Sequence, residues 1–284
     1  MRYYRPDTLN DAVGWLGDNQ PRIAAGCTDL FPATTAPEIA GPVLDITGIR
    51  SLHGISHEAD HVRIGALTTW TDIVRAPLSP AFDGLKLAAV EVGSAQIQNV
   101  GTLVGNVCNA SPAADGVPCL LTLDAVVELT SRQGTREMRL ADFIKGPRQT
   151  DRAPDEIVTA LLIPKSATTG QSNFLKLGAR RYLVISIAMC AVRLVLAEGR
   201  IGHAAVAVGS CSAVAQRLPA AESALIGTAP DTFDITRTIN DDVVQTALSP
   251  IDDLRADANY RRVAAVELVR RTIAQAMTAE GHAA

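Results

Sequence analysis

Residues 99–118, NVGTLVGNVCNASPAADGVP, constrain the fold of this chain more than any other stretch. They hold three Gly, three Asn and two Pro in a chain otherwise rich in Ala, Val and Leu, and no Lys or Arg occurs from Asn99 to Ser131. Gly lets the backbone turn and bring its N–H groups close to a ligand, while Asn and Pro punctuate regular elements. The stretch therefore reads as a binding loop between regular elements. A second loop, AAGCTDLFP at 24–32, shares its character: glycine, hydroxyl and no cation. Backbone donors of this kind, with Thr28, Thr102 and Ser111 adding hydroxyls, hold a diphosphate without Lys or Arg. Purely structural turns are the alternative for each loop taken alone. Asp29 and Asp115 complicate the phosphate reading, because a carboxylate repels a diphosphate. Asp29 is expected to cap the turn that follows it, and Asp115 to meet sugar-alcohol hydroxyls.

Several function classes are excluded. Neither GxxxxGK[ST] nor GxGxxG occurs, so there is no Walker-A loop and no standard dinucleotide fingerprint. A net charge of -4 with no basic block argues against nucleic acid. The longest apolar stretch, YLVISIAMCAV at 182–192, is too short to span a bilayer, and MRYYRPDTLNDAV has no apolar signal region. No membrane insertion is expected, and the expected location is cytoplasmic. Cys27, Cys108, Cys119, Cys190 and Cys211 form no CxxC and read as free thiols, too irregularly spaced for zinc or iron–sulfur. His53, His57 and His61 recur every four residues, but Gly54 and β-like flanks place them in a hairpin, with His57 in the turn, where they would not converge on a metal. His203 falls in a strand and His282 in a frayed terminus. GSCSA at 209–213 lacks the GxSxG spacing, and no nucleophile–base set or carboxylate pair stands out.

The 284 residues suggest about two domains, and 47% hydrophobic residues support a sizeable core. The N-terminal part alternates strands and helices: a strand over 2–5, a helix in TLNDAVGWLGD capped by Asp7 or Thr8, strands RIAA and VLDI, a hairpin of SLHGIS and HVRIGA, and a helix started by Thr68 or Thr69. AFDGLKLAAVEVG and PCLLTLDA read as helices on either side of the quoted stretch, with strands AVVELT, REMRL and EIVTALLIP after them. KSATTGQS at 165–172 reads as a linker. Beyond it FLKLGAR, ISIAMCAVRLVLAEG and RIGHAAVAVGS form an antiparallel meander, and AAESALIG and 257–280 are helical. The expected architecture is α+β: one domain over 1–172, with subdomains of about 1–55 and 56–172, and a smaller one over 173–284.

At its two loops the sequence resembles the flavoprotein (medium) subunits of the molybdenum hydroxylases, the family of xanthine dehydrogenase and carbon monoxide dehydrogenase. The family's first loop reads approximately AGGTDL, where this chain has Ala25-Gly26-Cys27-Thr28-Asp29-Leu30. The second reads approximately QIRNVGTIGGNVCNASPAAD, where residues 96–115 read QIQNVGTLVGNVCNASPAAD. VRIGALTTWTDI, FLKLGARR and ANYRRVAAVELVRR extend the likeness over nearly the whole chain.

The resemblance implies a FAD-binding domain of the vanillyl-alcohol-oxidase (PCMH) type with two α+β subdomains. A small α+β domain of the CO dehydrogenase flavoprotein C-terminal type follows it. One FAD per subunit is implied. The run Ile23, Ala24, Ala25, Gly26, Cys27, Thr28, Asp29 and Leu30 would wrap its diphosphate. Gly101, Thr102, Gly105, Asn106 and Ser111 would hold it from the second loop, Asp115 would touch its polar chain, and Val158 and Lys176 would lie by the flavin ring. A cation there favours the anionic reduced flavin; a solvated strand lysine is the alternative for Lys176. FAD carries the redox chemistry, with no catalytic side chain and no metal on this chain. The implied partners are a large molybdopterin-binding subunit and a small 2Fe–2S subunit, in a dimer of heterotrimers that passes electrons through FAD to an external acceptor. A stand-alone flavin oxidoreductase and a FAD-free scaffold subunit are the other readings.

Two departures from the family pattern matter. Cys27 stands where many relatives have Gly, and Val104 replaces the first Gly of Gly-Gly-Asn. A β-branched Val resists positive φ. Either position 104 has an ordinary φ, with its side chain turned from the cofactor, or FAD affinity is reduced.

Overall fold

The computed structural model describes residues 2–36, 39–229, 235 and 237–278, so His282 and the end of the last expected helix lie outside the described residues. Thr8 accepts the N–H of Asp11 on its side chain and starts helix α1 (Leu9–Asn19), which buries Ala12, Val13 and Leu16. This helix joins β1 (Tyr3–Tyr4) to β2 (Arg22–Ala24). Both strands lie parallel to a central β3 (Val43–Asp45) in a three-stranded sheet ordered β1-β3-β2.

The second sheet is antiparallel throughout and ordered β4-β5-β10-β6-β7, from β4 (Ile55–His57), β5 (His61–Gly65), β6 (Val126–Ser131), β7 (Gly134–Arg139) and β10 (Ile157–Pro164). Its middle strand, β10, is buried from Ile157 to Ile163, which is why these residues are apolar on both faces apart from Thr159 rather than alternating. A small hairpin, β8 (Ile144–Gly146) with β9 (Gln149–Thr150), precedes it. His57 ends β4 instead of sitting in the turn, and among the described residues no His, Cys, Asp and Glu cluster could hold a metal.

Between β5 and β6 the chain is mostly helical: α2 (Trp70–Arg75), α3 (Asp83–Glu91), α4 (Ala95–Gln98), α5 (Leu103–Asn109) and α6 (Gly116–Thr122). The expected second loop is thus in large part a helix. Thr102 accepts the N–H of Gly105 at 3.0 Å, and Leu103, Val104 and Val107 supply a buried face.

The third sheet, β11 (Gln171–Leu177), β12 (Ala188–Ala197), β13 (Arg200–Gly209) and β14 (Gln216–Arg217), is the expected meander. Helices α8 (Pro219–Leu225), α9 (Asp241–Gln245) and α10 (Ala258–Thr278) belong to the same part of the chain, and α7 (Leu140–Phe143) to the sheet before it. Successive residues of a strand face opposite ways. On β12, Met189 and Ala191 join the core of the first two sheets, while Ala188, Cys190, Val192 and Leu194 join a second core with α10. Burial on both faces explains the unbroken apolar run. The buried Arg193, on the first of those faces, donates from Nε to Thr122 O at 2.8 Å and ties the sheet to the end of α6. Residues 165–172 are no slack tether: Lys165–Ala167 form a 3-10 turn with Ala167 buried, and β11 begins at Gln171. No helix among the described residues is long and apolar enough to cross a membrane.

Candidate functional site

The chain leaves β2 at Ala24 and turns immediately. A Cβ on Gly26 would overlap Val100 O and come within 2.8 Å of the Val100 carbonyl carbon and 2.9 Å of Gly101 Cα. The first turn therefore rests backbone-to-backbone on the segment before α5, and only glycine fits there. On the other side, a Cβ at Gly101 would lie 2.9 Å from Ile97 O and 3.4 Å from Thr28 Oγ1. These two glycines bring the two loops together.

Cys27 follows with φ 58°, in the left-handed region that an L residue adopts at a cost of about 1–2 kcal/mol. Its Sγ lies 3.4 Å from Ala25 O, and burial, with Asp45 nearby, pushes the thiol pKa up. Val104, by contrast, sits inside α5 without a positive φ, and it is buried. Of the two departures from the family loops, the conformational strain falls on Cys27.

Between the two segments lies a cavity of about 560 Å³, within the usual size range of small-molecule sites. Ile23 and residues 25–30 line one side, and Thr102, Val104, Gly105, Asn106, Cys108 and Asn109 the other. Apolar side chains from neighbouring elements, among them Trp70, Val92, Ile97, Ile157 and Val158, close it. Asn106 lines the cavity, while its Oδ1 is buried without a hydrogen-bond partner and lies 3.3 Å from where a Cβ on Gly116 of α6 would stand. An orphaned buried acceptor costs about 1–3 kcal/mol. Thr102 accepts from Gly105 N–H on its hydroxyl oxygen, which leaves the O–H free to donate. A hydroxyl donor, the polar residues Thr28 and Asn106 and apolar walls fit the mixed polar and aromatic surface of FAD.

The remaining expected residues lie elsewhere. Ala24 is buried beneath the turn, and Gly101 supports it from behind. Ser111 Oγ accepts from Ala113 N–H at 3.3 Å. Asp29 is on the cavity wall and exposed, but its side chain does not cap the turn: the backbone closes it, with Ala33 N–H donating to Asp29 O at 3.1 Å. Asp115 is buried just before α6, off the cavity wall. Its Oδ2 accepts from Lys176 Nζ at 2.7 Å and its Oδ1 from Ser186 Oγ at 2.6 Å. Burial pushes the Asp115 pKa up, and Lys176 opposes the shift. Lys176 is therefore neither a solvated strand lysine nor a free cation; the pair presents a dipole with no net charge.

Sequence reasoning missed Arg152. Among the described residues it is the one Lys, Arg or His on the cavity wall. It lies in the polar run TDRAPDE, which gives no local signal of proximity to either loop. Trp70, Val92 and Ile97 were also missed, although they flank the second segment in sequence or pack against it.

A cavity of about 560 Å³ between two glycine-bearing segments of an α+β domain, with an antiparallel sheet and long helix after it, is the architecture of a ligand-binding subunit. Residues 1–166 match the family described as FAD binding domain in molybdopterin dehydrogenase, and residues 173–276 match the CO dehydrogenase flavoprotein C-terminal domain. The chain belongs to this family of FAD-binding medium subunits of molybdopterin dehydrogenases. It is 32% identical over 283 residues to the nicotine 6-hydroxylase medium subunit of Paenarthrobacter nicotinovorans, with 97% of each chain covered. It is 39% identical over 195 residues to the nicotinate dehydrogenase FAD-subunit of Eubacterium barkeri, with 66% of each covered. Among solved structures it is similar to reconstituted CO dehydrogenase from Oligotropha carboxidovorans, with a TM-score of 0.90 and 27% identity over 98% of this chain and 97% of that one.

Proposed function

We propose that this chain is the FAD-carrying electron-transfer subunit of a multi-subunit molybdenum hydroxylase, working beside a large molybdopterin subunit and a small 2Fe–2S subunit in a dimer of heterotrimers in the cytoplasm. The observation that carries the reading is the cavity enclosed by the two glycine-bearing segments, with Thr102, Gly105 and Asn106 on its wall. When bound, FAD supplies the one- and two-electron chemistry that connects iron–sulfur clusters to an acceptor. The chain's own task is to bind and orient it. Ile23 and residues 25–30 would surround the diphosphate with backbone N–H groups, over the buried Ala24. Thr102, Gly105 and Asn106 would meet it from the α5 side, and Val158 would shield an apolar part. Gly101 and Ser111 would act by shaping the second segment. Asp115 and Lys176 would act as a preformed pair, so any field they exert on the cofactor is that of a dipole.

Purification in the presence of FAD tests this. The expected product is yellow and releases one FAD per chain on denaturation. A folded chain that stays colourless and takes up no added FAD fits the scaffold reading instead. Co-expression with candidate neighbours, followed by molybdenum and iron analysis of the purified complex, separates an electron-transfer subunit from a stand-alone flavin enzyme.

A further inference from the structure

The two segments facing the diphosphate carry no cation, and Asp29 adds an exposed carboxylate to the same wall. A diphosphate held only by neutral donors would be left with its charge uncompensated. Arg152 answers this. It sits between β9 and β10, half-buried, on the cavity wall. Its Nη1 donates to Ala153 O at 3.1 Å and to Glu156 O at 2.8 Å, so its own loop fixes the guanidinium. The loop is braced in turn. Ala153 N–H donates to Glu156 Oε2 at 2.7 Å, and Arg136 holds the Glu156 carboxylate with Nε and Nη2. Arg136 thus takes up the Glu156 carboxylate, and Asp151, adjacent to Arg152 in sequence, lies 4.0 Å from Lys145 Nζ. Among the described residues Arg152 has no carboxylate within ion-pairing distance, and its Nε and Nη2 donate to no protein group. An anchored arginine with two free donor groups and no direct ion pair, on the wall of a ligand cavity, is set up to receive an anion, although it also feels the nearby Glu156 carboxylate.

We propose that Arg152 is the cation that pairs with the phosphate groups of the dinucleotide, and that it makes the cavity select phosphorylated flavins and nucleotides over their uncharged nucleosides. This rests on the FAD reading above and assigns that site a residue from outside both loops. The chemistry alternative is stacking of the guanidinium on the adenine ring, a contact that does not need phosphate.

The test uses the full-length chain stripped of flavin and titrated with FAD, ADP and adenosine at low and high salt, as wild type, Arg152→Gln and Arg152→Lys. Arg152→Gln is expected to weaken FAD and ADP by about 10- to 100-fold, to leave adenosine unchanged, and to flatten the salt dependence. Arg152→Lys, which keeps the charge without the fork, is expected to recover the salt dependence and part of the affinity. Equal losses for ADP and adenosine would overturn the proposal in favour of stacking, as would an unchanged salt slope in Arg152→Gln. If Arg152→Gln does not fold, Arg152→Lys carries the test: a salt slope matching wild type supports phosphate pairing, and its loss rejects it. Wild type that binds no FAD removes the functional reading and this proposal together. Wild type that binds FAD with an unaffected Arg152→Gln removes this proposal alone.

Discussion

The first turn, residues 25–30, and helix α5 line the same cavity and are held by different forces. The helix is secured redundantly, by a Thr102 cap and by the buried side chains of Leu103, Val104 and Val107. The turn is held instead by backbone contacts, the close approach of Gly26 to Val100 and the bonds from Phe31 and Ala33 N–H to Cys27 and Asp29 O, and it carries a non-glycine residue, Cys27, at φ 58°. A capped apolar helix absorbs a side chain where relatives have glycine, because Val104 enters the core. A tight turn absorbs the same kind of change only as strain. Two glycine replacements that look alike in the sequence therefore differ in consequence.

Four experiments press on this contrast. Gly26→Val should have the largest effect. The side chain meets immovable backbone, so stability falls by about 3 kcal/mol and FAD retention is lost; wild-type denaturation midpoint and flavin content would refute the loop-contact account. Next comes Glu156, which braces the loop carrying Arg152. Arg136 holds its carboxyl below the ordinary range, so its stabilising contribution is complete above the unfolded value of about 4.3 and is lost as pH falls through the lower folded value. Glu156→Gln should therefore be less stable than wild type at neutral pH and lose less between about pH 5 and 3, as read by urea unfolding across that window. Val104→Ala should cost about 1–2 kcal/mol and leave FAD affinity within a few-fold, a result typical of a trimmed core residue. Cys27→Gly should be the smallest change and of opposite sign, a gain of about 1 kcal/mol with affinity kept or improved. A loss there would show that the thiol contributes more than its backbone conformation costs.

Much of the fold was legible because its elements carry local signatures. The Thr8 cap with Leu9, Val13 and Leu16, and the long apolar runs of β12 and β13, needed no tertiary information. Residues 103–109 were misread as loop because glycine and asparagine outweighed a real signal, a threonine cap followed by apolar residues at 103, 104 and 107. The loops themselves were legible as chemistry, but the reason for two of their glycines was not. Gly26 and Gly101 serve the contact between the segments, and a pairing of residues some seventy positions apart leaves no trace in either sequence. Arg152 was invisible for the same reason. The Asp115–Lys176 pair was named residue by residue, yet only the fold shows that the two carboxylate oxygens are already engaged.

The contact of Gly26 with Val100 also imposes an order on biosynthesis. The three-stranded sheet and the first turn leave the ribosome early, but the opposing segment and then Arg152 and Val158 emerge up to about 130 residues later, roughly 6–25 s at ordinary translation rates. During that interval the nascent chain displays the first turn with no second wall to grip a flavin. A chain truncated before residue 158 lacks part of the cavity wall, so the complete cavity exists only once β10 has been made.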